Sequence, residues 1–272
     1  MRSRLTAAAV AYGMVAVFLA PLAWMVVASF RPESLLFEAS GSRGLLALTA
    51  AHYRGLFDER AFLVPIRNSL VVAGLTTAIA VPAGALCAYA LARLQFGGKG
   101  LVLALLLAVS MFPQVSIIAP LFLALRDLHL IDTYLGLALS HAAFATPLAV
   151  WLLTALFRQF PRDVEEAAMM DGASRWRVMR DMVFPLAAPA LASTAILTFL
   201  FSWNEFLFAL SFTLGPERQT VPVAIALFRG RYEVPWGQVL AAAVVATVPV
   251  ALIVLAFQRR IVAGLTAGAV KG

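Results

Sequence analysis

Six long apolar runs divide the chain, at about 6–30, 69–92, 100–125, 135–157, 186–214 and 238–257. Glu205 is the only formal charge inside any of them. Each reaches the roughly 20 residues that a helix rising about 1.5 Å per residue needs to cross about 30 Å of hydrocarbon. Backbone N–H and C=O groups find no water in lipid, so such segments are read as helices, whose bonds are internal. The pattern predicts an all-α membrane protein: six transmembrane helices in a single transmembrane domain spanning 1–272. An even number of crossings places both termini on one side.

The first run starts after Arg2 and Arg4 and stays apolar to Phe30. The apolar core of a signal peptide is only about 7–15 residues long. This run is therefore read as an uncleaved first span, with Val27-Ala28-Ser29 the one place where cleavage would fit. Prolines fall inside the runs at Pro21, Pro82, Pro113, Pro120, Pro147, Pro189 and Pro249. Bundles of spanning helices tolerate prolines and use the resulting kinks. Ala80, Gly84 and Ala88 recur every fourth position, which suits close helix contact. Static bundles share both features with transporters, so neither assigns a function.

Composition agrees with the pattern. The chain is 62% hydrophobic and 13% charged, with mean hydropathy +0.90, where a soluble domain carries roughly a quarter charged residues. The net charge of +7 does not indicate nucleic acid, because the arginines sit in short loops beside apolar runs and serve topology. With the N-terminus inside, the inner segments hold twelve Lys and Arg and the outer segments nine. The short loops lean the same way: 93–99 has two cations and no acid, whereas 126–134 sets Arg126 against Asp127 and Asp132. Both termini are expected to be cytoplasmic. Cys87 is the only cysteine, so neither an intrachain disulfide nor a Cys-based metal site is expected.

The most informative segment is the loop 158–185. Pro161 and Asp163 suit a helix start, with Asp163, Glu165 and Glu166 in the first turn where the helix dipole favours acids. Gly172 ends that helix after Asp171. Ser174 can cap a second one, whose apolar face is Trp176, Met179 and Val183 at i, i+3, i+7. Ala167 and Ala168 keep one face of the first helix thin, so another protein surface can approach. Two short helices joined at a glycine would lie across the cytoplasmic face; an interfacial loop without a partner fits the same residues.

Glu166-Ala167-Ala168, three residues, Gly172, nine residues, Met182, one residue and then Phe184-Pro185 resembles the EAA motif of binding-protein-dependent ABC importer permeases. The usual form ends I-x-L-P, so Met182 and Phe184 are departures that keep bulk. The wider chain resembles the carbohydrate-uptake branch, the shorter permease of a maltose- or trehalose-type heterodimer. That likeness rests on N-S-L at 68–70, M-F-P-Q at 111–114, P-L-F at 120–122, S-W-N-E at 202–205 and the tail at 257–272.

The resemblance implies a coupling helix between spans four and five. It would dock into a groove on an ATPase through Glu166, Ala167, Ala168, Asp171, Gly172, Trp176 and Pro185, with Glu166 meeting a basic group. No G-x-x-x-x-G-K-[ST] phosphate loop occurs in this chain, so no cofactor is expected here, and ATP and Mg would be held by the partner. The implied assembly is a second permease subunit, two ATP-binding subunits or a homodimeric ATPase, and an extracytoplasmic sugar-binding protein facing loops 31–68 and 215–237. It would sit in the lipid of a bacterial cytoplasmic membrane as a multi-pass protein, without nucleic acid, and import a disaccharide such as trehalose or maltose by alternating access. Gly264 through Gly272 would reach toward the ATPase dimer.

Substrate contacts are expected at Trp203, Asn204 and Glu205, with Gln114. A ring stacks on apolar sugar faces, while amide and carboxylate bond hydroxyls. An isolated carboxylate in hydrocarbon costs roughly 2.5–3.5 kcal/mol on insertion scales, so Glu205 should face a wet cavity or clamp one helix to another. His141 is read as a helix-to-helix hydrogen bonder and Asn68 as a helix cap. Two rivals remain: an ABC permease for a non-sugar solute, and a membrane enzyme. For the enzyme, neither H-E-x-x-H nor G-x-S-x-G occurs, and His52, His129 and His141 are the only histidines.

Overall fold

The computed structural model describes residues 2–37, 47–228 and 234–266, with side chains at 6–37, 47–228 and 234–258. Every described element is helical. The helices are α1 (Arg2–Ser29), α2 (Ala51–Arg54, continued by a π turn), α3 (Leu63–Arg93), α4 (Lys99–Met111), α5 (Gln114–Asp127) and α6 (Tyr134–Phe157). They continue with α7 (Asp163–Met170), α8 (Arg175–Asn204), α9 (Leu207–Phe212), α10 (Val221–Ala226) and α11 (Trp236–Thr266). Among the described residues, five helices are long and apolar enough to cross a membrane, and α4 with α5 adds a sixth, bent candidate.

The described residues form two compact units, one from within 1–63 and 224–249 and the other from within 64–223 and 250–266. In the first, α1 is apolar and nowhere buried along its most apolar stretch. Below it, Phe30 stacks on Tyr53 at 4.8 Å between ring centroids, and Ser29 Oγ shares a 2.7 Å hydrogen bond with Tyr53 Oη. His52 Nε2 donates to the Arg31 carbonyl at 2.7 Å. Arg60 Nε donates to Gln238 Oε1 at 2.6 Å, and its guanidinium lies 4.5 Å from the Phe228 ring centroid. Residues 38–46 and 229–233 of the loops expected to face the sugar-binding protein lie outside the described residues, as do 267–272 of the tail.

The second unit is built around α6, which packs on α8 and α4. Its largest core cluster joins three helices, with Ala85, Tyr89 and Leu91 of α3, Leu153 and Phe157 of α6, and Val178, Met179 and Val183 of α8. The small-residue row of α3 is used here: a Cβ on Gly84 would lie 2.9 Å from Ala149 Cβ. Hydrogen at that position lets the two backbones approach as no larger residue would.

Span three is not straight. α4 and α5 meet at 96° across Phe112-Pro113, where Phe112 is extended (φ −70°, ψ 133°). Proline lacks an N–H and pushes the preceding residue out of the helical region, so α4 stops at Met111, two residues before Pro113. Pro21, Pro82, Pro120, Pro147, Pro189 and Pro249 instead lie within continuous helices.

Span five departs from its expected limits at both ends. α8 starts at Arg175, inside the loop, and a π turn at Met179–Val183 carries it past Pro185. It then stops at Asn204, because Glu205 is extended (φ −68°, ψ 131°), and α9 is a separate helix.

Candidate functional site

The loop between α6 and α8 is built by its caps. α7 ends in a Schellman arrangement: Ala173 N–H donates to the Ala168 carbonyl at 3.0 Å and Gly172 N–H to the Met169 carbonyl at 3.1 Å. This geometry places Gly172 in the left-handed region, φ +85°, which an L side chain resists. Ser174 Oγ then accepts from Arg177 N–H at 3.3 Å and starts α8.

Successive residues on a helix are about 100° apart, so the adjacent glutamates of α7 part company. Glu166 is exposed, and Glu165 is buried against α3. Arg93 Nε lies 2.6 Å from Glu165 Oε1, with side chains only 5% and 10% exposed. The N–H direction misses the oxygen, so the contact is Coulombic rather than a well-aligned hydrogen bond. Tyr89 Oη donates to Glu165 Oε2 at 3.3 Å, and the Arg93 guanidinium donates to the Phe160 carbonyl at 3.0 Å. An open cavity of about 500 Å³ lies beside the pair, lined among others by Arg162, Glu166 and Arg175.

The outward surface of the loop sets apolar residues among the exposed charges Asp163, Glu166, Asp171 and Arg177. Met170 is 88% exposed, Trp176 59% and Val164 46%; Ala167, Asp171, Gly172 and Pro185 are exposed too, and Ala168 is half-buried. Trp176 does not share the buried face with Met179 and Val183. Val178 and Met179 set the inward arc of α8 against Leu153 and Phe157, and Trp176 lies roughly 110° from the centre of that arc at 100° per residue.

The second site is the break after α8. Glu205 Oε1 accepts from Phe208 N–H at 2.8 Å and Oε2 from Ala209 N–H at 3.1 Å, so the carboxylate satisfies two of the free donors in the first turn of α9. His141 Nε2 of α6 lies 2.9 Å from Glu205 Oε2. On its other side, His141 Nδ1 is 2.7 Å from Ser202 Oγ, which donates to Thr76 Oγ1 of α3 at 3.1 Å. The whole chain of polar groups is buried.

A cavity of about 570 Å³ opens beside the break, where Gln114, Asn204 and Glu205 are joined by Leu148, Phe201 and Leu207. Three of the four expected substrate residues therefore share one wall. Trp203 does not: it is 3% exposed and stacks on Phe199 at 6.0 Å. Asn204 is exposed and donates to the Leu200 carbonyl of its own helix at 2.7 Å.

Asn68 is no cap, since α3 begins five residues earlier. Its amide donates to the carbonyls of Glu217 and Gln219, each at 2.9 Å, and accepts from Tyr134 Oη at 2.7 Å. Sequence reasoning passed over Glu165 and Arg93, although helical spacing already separates Glu165 from Glu166. It also treated His141 and Glu205 singly, although intramembrane ionisable groups find one another. Among the described residues, no group of three or more His, Cys, Asp or Glu is placed to hold a metal ion.

Comparisons with known proteins agree over most of the chain. The trehalose transport system permease protein SugB of Mycobacterium tuberculosis is 46% identical, covering 93% of each chain. The trehalose/maltose transport system permease protein MalG of Thermococcus litoralis is 42% identical over 95% of this chain and 94% of its own length. The sulfoquinovosyl glycerol transport system permease protein of Agrobacterium fabrum is 39% identical over 93% and 88%. The fold matches a chain in the crystal structure of a bacterial ABC transporter involved in the import of the acidic polysaccharide alginate, with TM-score 0.72, 24% identity and 95% and 96% coverage. The model of the binding-protein-dependent transport system inner membrane component matches residues 80–266, and the chain belongs to that family of ABC importer permeases.

Proposed function

We propose that this chain is the shorter permease of an ATP-driven importer for a disaccharide of the trehalose or maltose class, with both termini and the α7–α8 turn in the cytoplasm. The observation that carries the coupling half is the outward face of that turn. Val164, Met170 and Trp176 are exposed apolar side chains on the same turn as the exposed Glu166, and Gly172 in the left-handed region sets the turn between α7 and α8. Exposed apolar residues rimmed by charge mark a protein partner, and here that partner is a separate ATPase. A second permease and an extracytoplasmic sugar-binding protein complete the assembly. The named relatives support the sugar.

In this reading ATP binding brings the two ATPase subunits together and displaces the docked turns. The permease pair then opens outward to the binding protein, and hydrolysis resets it. The switch is driven by the different affinities of each ligand for the two states. Gln114 and Asn204 line the sugar's path at the cavity beside the α8 break, and Glu205 holds that break in place.

The test is reconstitution with the neighbouring permease, ATPase and binding protein in proteoliposomes. Glu166→Cys, made with Cys87→Ala, should cross-link to the ATPase, and Glu166→Lys should lose ATPase association. Uptake of labelled trehalose or maltose should require ATP inside. No cross-link and no loss on Glu166→Lys would sink the coupling reading; ATP-driven uptake of other solutes alone would sink the sugar.

A further inference from the structure

Helix α3 carries polar links at three depths. At its C-terminal end, Arg93 and Tyr89 hold Glu165 of α7. Near its middle, Thr76 accepts from Ser202, which continues to His141 and Glu205 at the α8 break. At its other end, Ser69 Oγ accepts from Val221 N–H at 2.8 Å, and Asn68 holds the carbonyls of Glu217 and Gln219. From Asn68 to Arg93 is roughly 37 Å at 1.5 Å per residue. The helix is unbroken over that length.

The Arg93–Glu165 contact is the unusual one. Two charges withdrawn from water lose hydration worth several kcal/mol each, and their attraction does not reliably return it. An apolar pair would hold α7 on α3 as well. What the charges add is specificity and stiffness: a short contact at 2.6 Å, braced by Tyr89 and by the Phe160 carbonyl, that cannot slide as apolar surfaces can. Glu166 faces outward one residue away.

We propose that Glu165 and Arg93 are positioning residues that fasten the ATPase-docking helix to α3, so that a displacement of α7 is delivered along α3 to the α8 break and the loop at 213–220. The two adjacent glutamates divide the work: Glu166 meets the partner, and Glu165 passes the movement inward. This rests on the coupling reading above.

The experiment uses the complete importer in proteoliposomes, on the Cys87→Ala background, and measures both hydrolysis and sugar delivered per ATP. Glu165→Gln and Arg93→Gln should keep ATPase association and hydrolysis while sugar per ATP falls about tenfold, within the usual range of coupling between sites. The swap Glu165→Arg with Arg93→Glu should recover most of the ratio. A merely structural role would lower transport and hydrolysis in proportion, and that unchanged ratio overturns the proposal. A second arm does not depend on how well the glutamine variants assemble. Arg93→Cys with Glu165→Cys, joined by a short bifunctional thiol reagent, should still transport, because the two positions move as one body. Hydrolysis without transport in the cross-linked complex overturns the proposal. A parent complex that neither associates with the ATPase nor transports would instead sink the coupling reading itself.

Discussion

His141 Nε2 and Glu205 Oε2 lie 2.9 Å apart, with side chains 0% and 4% exposed, in the interior of a membrane protein. The same carboxylate takes two of the three free N–H groups in the first turn of α9, those of Phe208 and Ala209. Without it, the interruption of span five at Glu205 would leave backbone donors with neither protein nor water partners, a cost of several kcal/mol in hydrocarbon. The break and the acid therefore require each other. The residue that interrupts the helix is the one that satisfies the interruption.

Removing that acid should be costly to stability and nearly silent in sugar affinity. Glu205→Ala strips three partners at once, and breaking a buried pair by deleting one member typically costs about 3–5 kcal/mol. Glu205→Gln keeps an oxygen for one N–H and should cost less. Detergent-solubilised thermal unfolding should rank parent, Gln and Ala in that order. Asn204→Ala should do the reverse, raising the KM for sugar in proteoliposomes while leaving unfolding unchanged. A raised KM in Glu205→Gln with unaltered stability would put Glu205 on the sugar's path.

Gly172 should tolerate substitution according to backbone conformation, not space. No atom would meet a Cβ there within 4 Å, but φ is +85°. A side chain in the left-handed region costs roughly 1–2 kcal/mol, less for asparagine. Gly172→Val should loosen the α7–α8 turn and weaken ATPase association, and Gly172→Asn should sit between it and the parent. Pull-down of the ATPase at graded salt measures this. Equal binding for all three would show that the turn's geometry is not what the ATPase reads.

Gly84 tests packing instead. A Cβ there would meet Ala149 Cβ at 2.9 Å and Val150 N at 3.4 Å, and the backbone of α6 cannot step aside as a flexible side chain can. Overpacking of this kind costs about 1–3 kcal/mol. Gly84→Ala should therefore lower the unfolding midpoint, and Gly84→Ala with Ala149→Gly should restore much of it. Failure of the double variant to recover would place the strain elsewhere.

What was legible in the sequence follows from which interactions are local. Apolar length marks spans without reference to neighbours, and Gly172, Ser174 and the acids of α7 are cap signals within a few residues. The bend at Phe112-Pro113 was legible in principle, but proline is so often absorbed by spanning helices that Pro113 did not stand out from Pro120 or Pro147. The outward turn of Trp176 depends on Leu153 and Phe157 lying under its neighbours, which no window on α8 contains. His141 with Glu205, and Arg93 with Glu165, are separated by 64 and 72 residues in sequence (205 − 141 and 165 − 93). Pairing at that distance is decided by helix packing alone.

Asn68 was legible as a residue and not as a role. Its amide is fully used: both N–H groups go to the carbonyls of Glu217 and Gln219, and its oxygen accepts from Tyr134. Arg218, between those carbonyls, lies 4.3 Å from the Tyr134 ring centroid. Asn68→Ala leaves these groups unpaired at about 1–3 kcal/mol for each one that water does not reach. Asn68→Asp should be worse, because it keeps the shape and turns two donors into acceptors facing carbonyl oxygens. Tyr134→Phe removes the third bond, together with the donation from the Arg67 guanidinium to Tyr134 Oη at 3.3 Å, and keeps the ring beneath Arg218. The readout is limited trypsin cleavage after Arg218 in the folded protein, fastest for Asp, intermediate for Ala and slowest of the three for Phe. Groups in one network do not act independently, so Asn68→Ala with Tyr134→Phe should cleave no faster than Asn68→Ala alone by more than a small factor. Cleavage rates that multiply would show that Tyr134 and Asn68 hold the loop separately.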